Sequence, residues 1–312
     1  MNLFPAKWLQ MRYDRRDYQD GRFEVSDQRF DAVFHLGSGW GPILTGWPAF
    51  DKEVTSMGIG VRLGAPKARN ALEVLVVDER VIWDEKTDDE VRFDRDPWRI
   101  LLDGSYEAGS WRVHGTVDFG LEYAATDGAT GRTTRGSQRF GDAAVGHVRG
   151  DWSAGLRLTG ARLERDQTEA GGGRYALDRS WGRAVVSCRR QLGKWGVSAL
   201  LGYAEQRDDF ASPDDPEGRY DLGSVLFGVE GELRLSRVVE LRLGYLGSSQ
   251  DARREVTGSG ALPAREEDDF IDKAHLKALF TFAPAMSIEL LLSQAIQGGS
   301  FGGGSVKALL VF

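Results

Sequence analysis

Chemistry in this chain would have to come from four histidines, one cysteine and a few dense groups of carboxylates. His35, His114 and His147 each lie within a few residues of a stretch that reads as a tight turn, and each is expected on a polar strand face. A histidine metal site needs a second histidine or a carboxylate at close spacing on the same element, and none of the three has one. No metal and no cofactor are therefore expected. A hydrolytic Ser–His or Asp–His group needs a histidine beside its nucleophile, and none is read around these histidines, so the chain is read as a non-enzyme. Cys188 stands alone, which excludes an intramolecular disulfide and a cysteine metal cluster, and is expected to be an inert apolar filler. Asp84, Glu85, Asp88, Asp89 and Glu90 form one acidic group, and Asp208, Asp209, Asp214, Asp215 and Glu217 a second. Neither has the spacing of a calcium loop, and solvated acid at loop tips is the expectation for both.

The elements that would carry these residues are strands. With 41% hydrophobic and 28% charged residues the chain has no apolar run of 18 or more, so no membrane-spanning helix is expected. A net charge of -7 argues against nucleic-acid binding. Period-two alternation recurs along the chain. Trp111, Val113, Val117, Phe119, Leu121 and Tyr123 oppose Arg112, His114, Thr116, Asp118 and Glu122. Val225, Phe227, Val229, Leu233 and Leu235 oppose Ser224, Glu230, Glu232 and Arg234. Val239, Leu241, Leu243 and Tyr245 oppose Glu240 and Arg242. Leu276, Ala278, Phe280 and Phe282 oppose Lys273, His275 and Lys277, and Trp98, Ile100, Leu102 and Tyr106 oppose Arg99, Asp103 and Ser105.

The connections alternate as well. Short turns fall near 37–41, 64–70, 107–110, 149–152, 191–194, 235–237 and 283–286. Longer polar stretches fall near 84–96, 124–137, 165–174, 207–219, 249–269 and 297–303, with shorter ones near 19–22 and 50–55. Counted back from Phe312 this gives about sixteen strands with both ends of the chain on the short-turn side. Fourteen is the alternative, because Pro42–Phe50 holds two prolines and Ala71–Trp83 begins apolar on both faces. Trp111, Trp152 and Trp195 each begin a strand after a short turn, and Trp83 and Trp98 flank a long stretch. Rings at both strand ends suit the two interfaces of a membrane.

These features resemble a bacterial outer-membrane β-barrel protein of porin-like kind, whose last strand ends on an aromatic assembly signal. Here that signal is Val306, Ala308, Leu310 and Phe312. The resemblance covers essentially the whole chain and fixes no particular transporter family. It implies an all-β, transmembrane, antiparallel up-and-down barrel with short periplasmic turns and longer extracellular loops. It also implies location in the bacterial outer membrane and contact with its lipid, with lipopolysaccharide and with the barrel-assembly machinery. Residues 1–312 are read as one barrel domain, with 1–7 a periplasmic segment. Met1 to Lys7 lacks a secretory signal, so the expectation is a removed leader or a longer parent chain.

Lipid cannot cheaply hold Arg or Lys near its midplane, at about 2–4 kcal/mol each, so the charged rows are expected to line the lumen. That set is Arg62, Arg99, Asp103, Arg112, Asp118, Glu122, Arg157, Glu230, Glu232, Arg234, Glu240, Arg242, Lys273 and Lys277. Arg139, Glu73 and Glu289 are assigned to the same inner wall. Sixteen strands enclose more space than side chains usually fill, so a water-filled, mixed-charge channel for small hydrophilic solutes or ions is the leading expectation. The stretch 249–269 is a candidate inward constriction or a solvated loop. The alternatives are the barrel of an export system, for example for exopolysaccharide, and a structural scaffold for periplasmic or surface partners.

Overall fold

The computed structural model describes residues 2–20, 23–37, 39–47, 56–65, 70–78, 91–213, 217–257, 265–283, 286–297 and 301–310. They form nineteen strand segments in one sheet, and no helix. In chain order these are β1 (Asn2–Ala6), β2 (Leu9–Asp20), β3 (Phe23–Phe34), β4 (Trp40–Trp47), β5 (Ser56–Leu63) and β6 (Ala71–Asp78). Next come β7 (Val91–Arg95), β8 (Trp98–Ala108), β9 (Trp111–Gly120), β10 (Tyr123–Asp127), β11 (Thr133–Arg149) and β12 (Trp152–Thr168). The rest are β13 (Arg174–Leu192), β14 (Trp195–Ala211), β15 (Glu217–Arg234), β16 (Val239–Thr257), β17 (Arg265–Ala283), β18 (Met286–Ala295) and β19 (Phe301–Leu310).

Neighbours in sequence pair antiparallel throughout, in up-and-down order. Two strands are broken. Pro97, which has no amide hydrogen to donate, separates β7 from β8, and the chain breaks opposite it between β9 and β10. Across the break β6 pairs with β8 and β9 with β11, while β7 pairs with β10 and β10 with β11. With β7–β8 and β9–β10 each taken as one strand, β2 to β19 supply sixteen spans. The five-residue β1 hydrogen-bonds along β2 as an added short strand in the segment expected only to precede the barrel. Among the described residues no pairing joins β19 to β1 or β2.

The connections at one end are tight. Gly109, Gly150 and Gly193 take positive φ of 57°, 57° and 63° in two-residue turns, the conformation that hairpin turns ask of their first residue. At the other end, much of what reads as loop in the sequence is paired strand. The segments β11 to β17 are 17 to 19 residues long, nearly twice the 9–11 that cross a bilayer, so the wall continues past the membrane. Residues 249–257 and 265–269 belong to β16 and β17, which removes them from any inward-folding loop; 258–264 lie outside the described residues. Pro42 is accommodated within β4, which pairs with β3 over a short stretch.

Side-chain exposure separates the faces. On β14, Trp195, Val197, Leu201 and Tyr203 are strongly exposed, and the same face then turns to Glu205, Arg207 and Asp209. The apolar stretch from Trp195 to Tyr203 is about as long as one lipid crossing. The charged stretch beyond it is zipped by Arg162–Asp178, Arg207–Asp209 and Arg219–Asp221 pairs at 2.8, 3.1 and 2.7 Å. Arg139 belongs to this outward charged band, because its register partners are Phe119 and Arg162; its assignment to the inner wall is corrected.

Around β3 to β8 the opposite face is packed. Val33, Ile43, Leu75 and Val77 are fully buried, with Leu101 almost so and Trp47 against them. The cause is a pair of glycines on β5. A Cβ on Gly60 would lie 2.5 Å from Leu75 Cδ2, and one on Gly58 2.9 Å from Val77 Cγ2 and 3.0 Å from Thr45 Cγ2. With no side chains there, β4 and β6 close over β5 and their inner residues meet. This explains why Ala71–Trp83 is apolar on both faces over its described part. Gly60→Val is expected to cost about 1–3 kcal/mol by overpacking, read as a lowered midpoint in urea unfolding from lipid vesicles.

Candidate functional site in the lumen

The inner face divides into a packed arc and an open arc. In the packed arc Glu73 is the centre of a charge cluster drawn from four strands. Arg12 donates to both its oxygens at 2.5 and 2.9 Å, Arg62 donates to Oε1, and Arg29 Nη2 lies 3.7 Å from Oε2. Asp31 accepts from Arg12 at 2.8 Å, Arg29 at 2.8 Å and Thr45 at 2.6 Å. Nearby, Trp47 has the guanidinium of Arg29 at 5.3 Å and that of Arg99 at 4.7 Å from its ring centroid, a double cation–π contact. These contacts tie β2 to β6 and β3 to β8 across the interior.

In the open arc the charges run along the wall as cross-strand pairs. Arg157 donates to Asp142 at 2.7 Å, and Asp142 also accepts from Thr159 at 2.7 Å. Towards the short-turn end of β15–β17, Arg189 pairs with Glu232, and Arg242 reaches Glu240, Glu230 and Glu232 at 2.6, 3.6 and 3.9 Å. Arg234 lies 3.5 Å from Glu240 and 3.6 Å from Glu232. His275 Nε2 meets Glu230 Oε2 at 3.0 Å, its ring lying over Gly244 where a Cβ would stand 2.2 Å away. Lys277 faces Glu289 at 3.7 Å. Higher up, Arg179 donates to both oxygens of the buried Asp208 at 2.9 and 2.7 Å. A cavity of about 830 Å³ opens on this arc, with Arg112, His114, Arg157, Arg183 and Lys273 among the residues from β8 round to β17 on its walls.

Of the expected lumen residues, Arg62 is in the packed cluster, and Arg99 reaches Asp118 at 3.3 Å. Asp103 accepts from Thr116 at 2.7 Å, and Arg112 lies 3.5 Å from Glu107. Arg157, Glu230, Glu232, Arg234, Glu240, Arg242 and Lys277 are in the ladders above, and Lys273 lines the cavity. Glu122 falls at the β9–β10 break, where Arg95 donates to it at 2.6 Å in an exposed setting. The histidines part company. His35 is buried against Gln10 at 3.1 Å and His114 lies in the cavity wall, but His147 packs at a tilt against Trp111 with centroids 4.5 Å apart. Since Trp111 and His147 are register partners on the exposed apolar face, the expected inward placement of His147 is corrected. Asp208 and Asp209 are strand residues paired with Arg179 and Arg207 rather than free loop acid, and Glu217 opens β15. Asp84, Glu85, Asp88, Asp89, Glu90, Asp214, Asp215, Trp83 and Phe312 lie outside the described residues. Val306, Ala308 and Leu310 pair in register with Leu290, Ile288 and Met286.

Sequence reasoning missed Arg12, Arg29, Asp31 and Trp47, and the aliphatic residues of the cavity. The available signal was glycine on a polar face, at Gly58 and Gly60 and again at Gly202 and Gly228, each beside bulky inward neighbours.

Strands that cross with an exposed apolar belt, ring side chains at its edges, charged pairs beyond it and tight turns at one end define a bacterial outer-membrane β-barrel protein. No protein-family model and no curated protein matches the chain. Among solved structures it is similar to OmpT, an outer membrane protein of Vibrio cholerae, folded in vitro. The identity is 13%, with 99% of this chain and 95% of that chain covered and a TM-score of 0.49. It is also similar to BauA, the ferric preacinetobactin receptor from Acinetobacter baumannii, at 11% identity over 91% of this chain and 49% of that one, TM-score 0.49. A third is the translocator domain of the autotransporter NalP from Neisseria meningitidis, at 11% identity, 88% and 87% coverage and a TM-score of 0.37.

Proposed function

We propose that the barrel is an outer-membrane channel that passes small hydrophilic solutes or ions along its open arc. The observation that carries this reading is the cavity of about 830 Å³ on the inner face of β8 to β17, whose wall carries Glu107, Arg112, Arg157, Arg183 and Lys273. Arg112, Asp118, Arg157, Glu230, Arg242, Lys273 and Lys277 would line the path, and the packed arc would narrow the lumen to this side. Because most wall charges are compensated within 4 Å by a partner of opposite sign, the channel should discriminate weakly between anions and cations. The outward pairs beyond the belt would lie among lipopolysaccharide headgroups, and the last strand would engage the assembly machinery.

Purified protein in a planar bilayer is expected to give stepwise conductance with weak ion selectivity. Charge reversal at Arg183 and Lys273, two cavity cations without an ion pair among the described residues, should move that selectivity towards cations. A silent bilayer from protein that still shows a heat-dependent gel shift would overturn the channel reading in favour of an export barrel or a scaffold.

A further inference from the structure

The cavity wall is not uniformly polar. Val185, Leu200, Leu226, Leu246 and Ile271 come from five consecutive strands, β13 to β17, and all face the lumen. Their register is tight: Val185 pairs with Gly202, Gly202 with Leu226, Leu226 with Ser248 and Ser248 with Ile271. Leu200 and Leu246 stand in the next row, both opposite Gly228. The glycines let them pack sideways, since a Cβ on Gly228 would be 2.5 Å from Leu246 Cδ2 and 3.3 Å from Leu200 Cγ. Leu246 and Ile271 nevertheless remain 44% and 42% exposed to the interior. A continuous aliphatic patch facing a water-filled lumen is unfavourable unless something apolar covers it.

The charged side chains that line the cavity at the patch are cations. Glu230, two residues from Gly228 on the same face, is taken up by His275 and Arg242. Asp269 lies two residues from Ile271, beyond the cavity wall. Arg112 on the cavity wall and Arg157, the register partner of Val185, are matched by Glu107 and Asp142. Arg183 adjoins Val185 on the same strand face, and Lys273 is the register partner of Leu246 beside Ile271. Neither has an ion pair among the described residues. These two cations flank the two ends of the aliphatic patch. We infer that this chamber binds an amphiphilic monoanion with a single hydrocarbon chain, such as a long alkyl carboxylate. Its tail would lie along Leu200, Leu226 and Leu246, with its anionic head on Arg183 or Lys273. The volume is within the range of small-molecule sites. The inference rests on the channel reading for an open lumen and goes beyond it, adding an amphiphilic ligand held on the wall to the small hydrophilic solutes that pass.

The test is native mass spectrometry of the folded barrel with dodecanoate, alongside hexanoate and the uncharged dodecanol. One dodecanoate per barrel is expected, with affinity rising about fourfold per added methylene from the shorter chain. Arg183→Gln with Lys273→Gln should weaken dodecanoate at least tenfold and leave dodecanol unchanged. Leu200→Asn with Leu246→Asn should weaken both; should that pair fail to fold, Leu200→Ala with Leu246→Ala removes the same tail contacts and should also weaken both. No one-to-one complex, or equal retention of dodecanoate by the parent and all variants, overturns the inference. Bilayer conductance without ligand keeps the two readings apart. Conductance with no complex sinks only the chamber assignment, and a complex with no conductance sinks only the channel.

Discussion

Glu73→Gln is expected to destabilise the barrel by about 3–5 kcal/mol, because the change removes the negative centre of a cluster and leaves its cations in place. Arg12, Arg29 and Arg62 all approach this one carboxylate, and its side chain is only 4% exposed. Asp31 remains, but it already accepts from Arg12, Arg29 and Thr45 and cannot neutralise three guanidiniums. The loss should be large because the cluster does two jobs. It compensates charge where little water reaches, and it links β2, β3, β5 and β6 across the interior. Glu164→Gln is the control, since that carboxylate is 43% exposed and pairs with Arg162 at 3.0 Å; it should cost less than 1 kcal/mol. Unfolding in urea from lipid vesicles, followed by tryptophan fluorescence and the gel shift, measures both. Equal effects would mean that the cluster is incidental to the fold. A second expectation follows from the same geometry. Replacing Glu73 together with Arg62 by a well-packed apolar pair should recover much of the loss, because a buried ion pair is replaceable where a lone buried charge is not.

The strand architecture was legible because a barrel wall writes itself into sequence twice, as period-two alternation and as the rhythm of turns. Residues such as Trp195, Val197, Leu201 and Tyr203 must meet lipid, so each inward neighbour is released from that demand and free to be charged. The count of sixteen holds for β2 to β19 for the same reason. What alternation could not show is how tightly the wall curves. Gly58 and Gly60 read as gaps in a polar face, yet they let β4 and β6 meet and convert a stretch of lumen into a packed core. The loops were overdrawn because strands beyond the membrane are charged on both faces. Asp166, Arg174, Arg207 and Asp209 look like solvated loop residues until their register is known. The Glu73 cluster was invisible for a further reason. Arg12 and Glu73 are sixty-one positions apart, and nothing local in the sequence announces their contact.

Leu201→Arg is expected to cost about 2–4 kcal/mol, whereas Ser198→Arg, three residues away on the same strand, should be close to neutral. Leu201 is 62% exposed among the apolar side chains of the belt, with Val186 and Phe227 as its register partners. An arginine there would face hydrocarbon near the middle of the crossing, with only partial relief from snorkelling towards the headgroups. Ser198 points the other way. Its register partners are Arg189 and Glu230, so a new guanidinium would enter a hydrated wall with a carboxylate opposite. The two substitutions add the same side chain to β14 within one membrane crossing, so strand propensity and added volume are matched. Their difference isolates what each face meets. A one-residue register slip on β14 would reverse the order of the two costs, and a water-soluble sheet with solvent on both sides would make both small. Either result, measured as the shift in unfolding free energy from vesicles, would remove the basis for placing the charged rows in the lumen. The expected order would instead tie lipid to the Leu201 face and solute to the Ser198 face of the same strand.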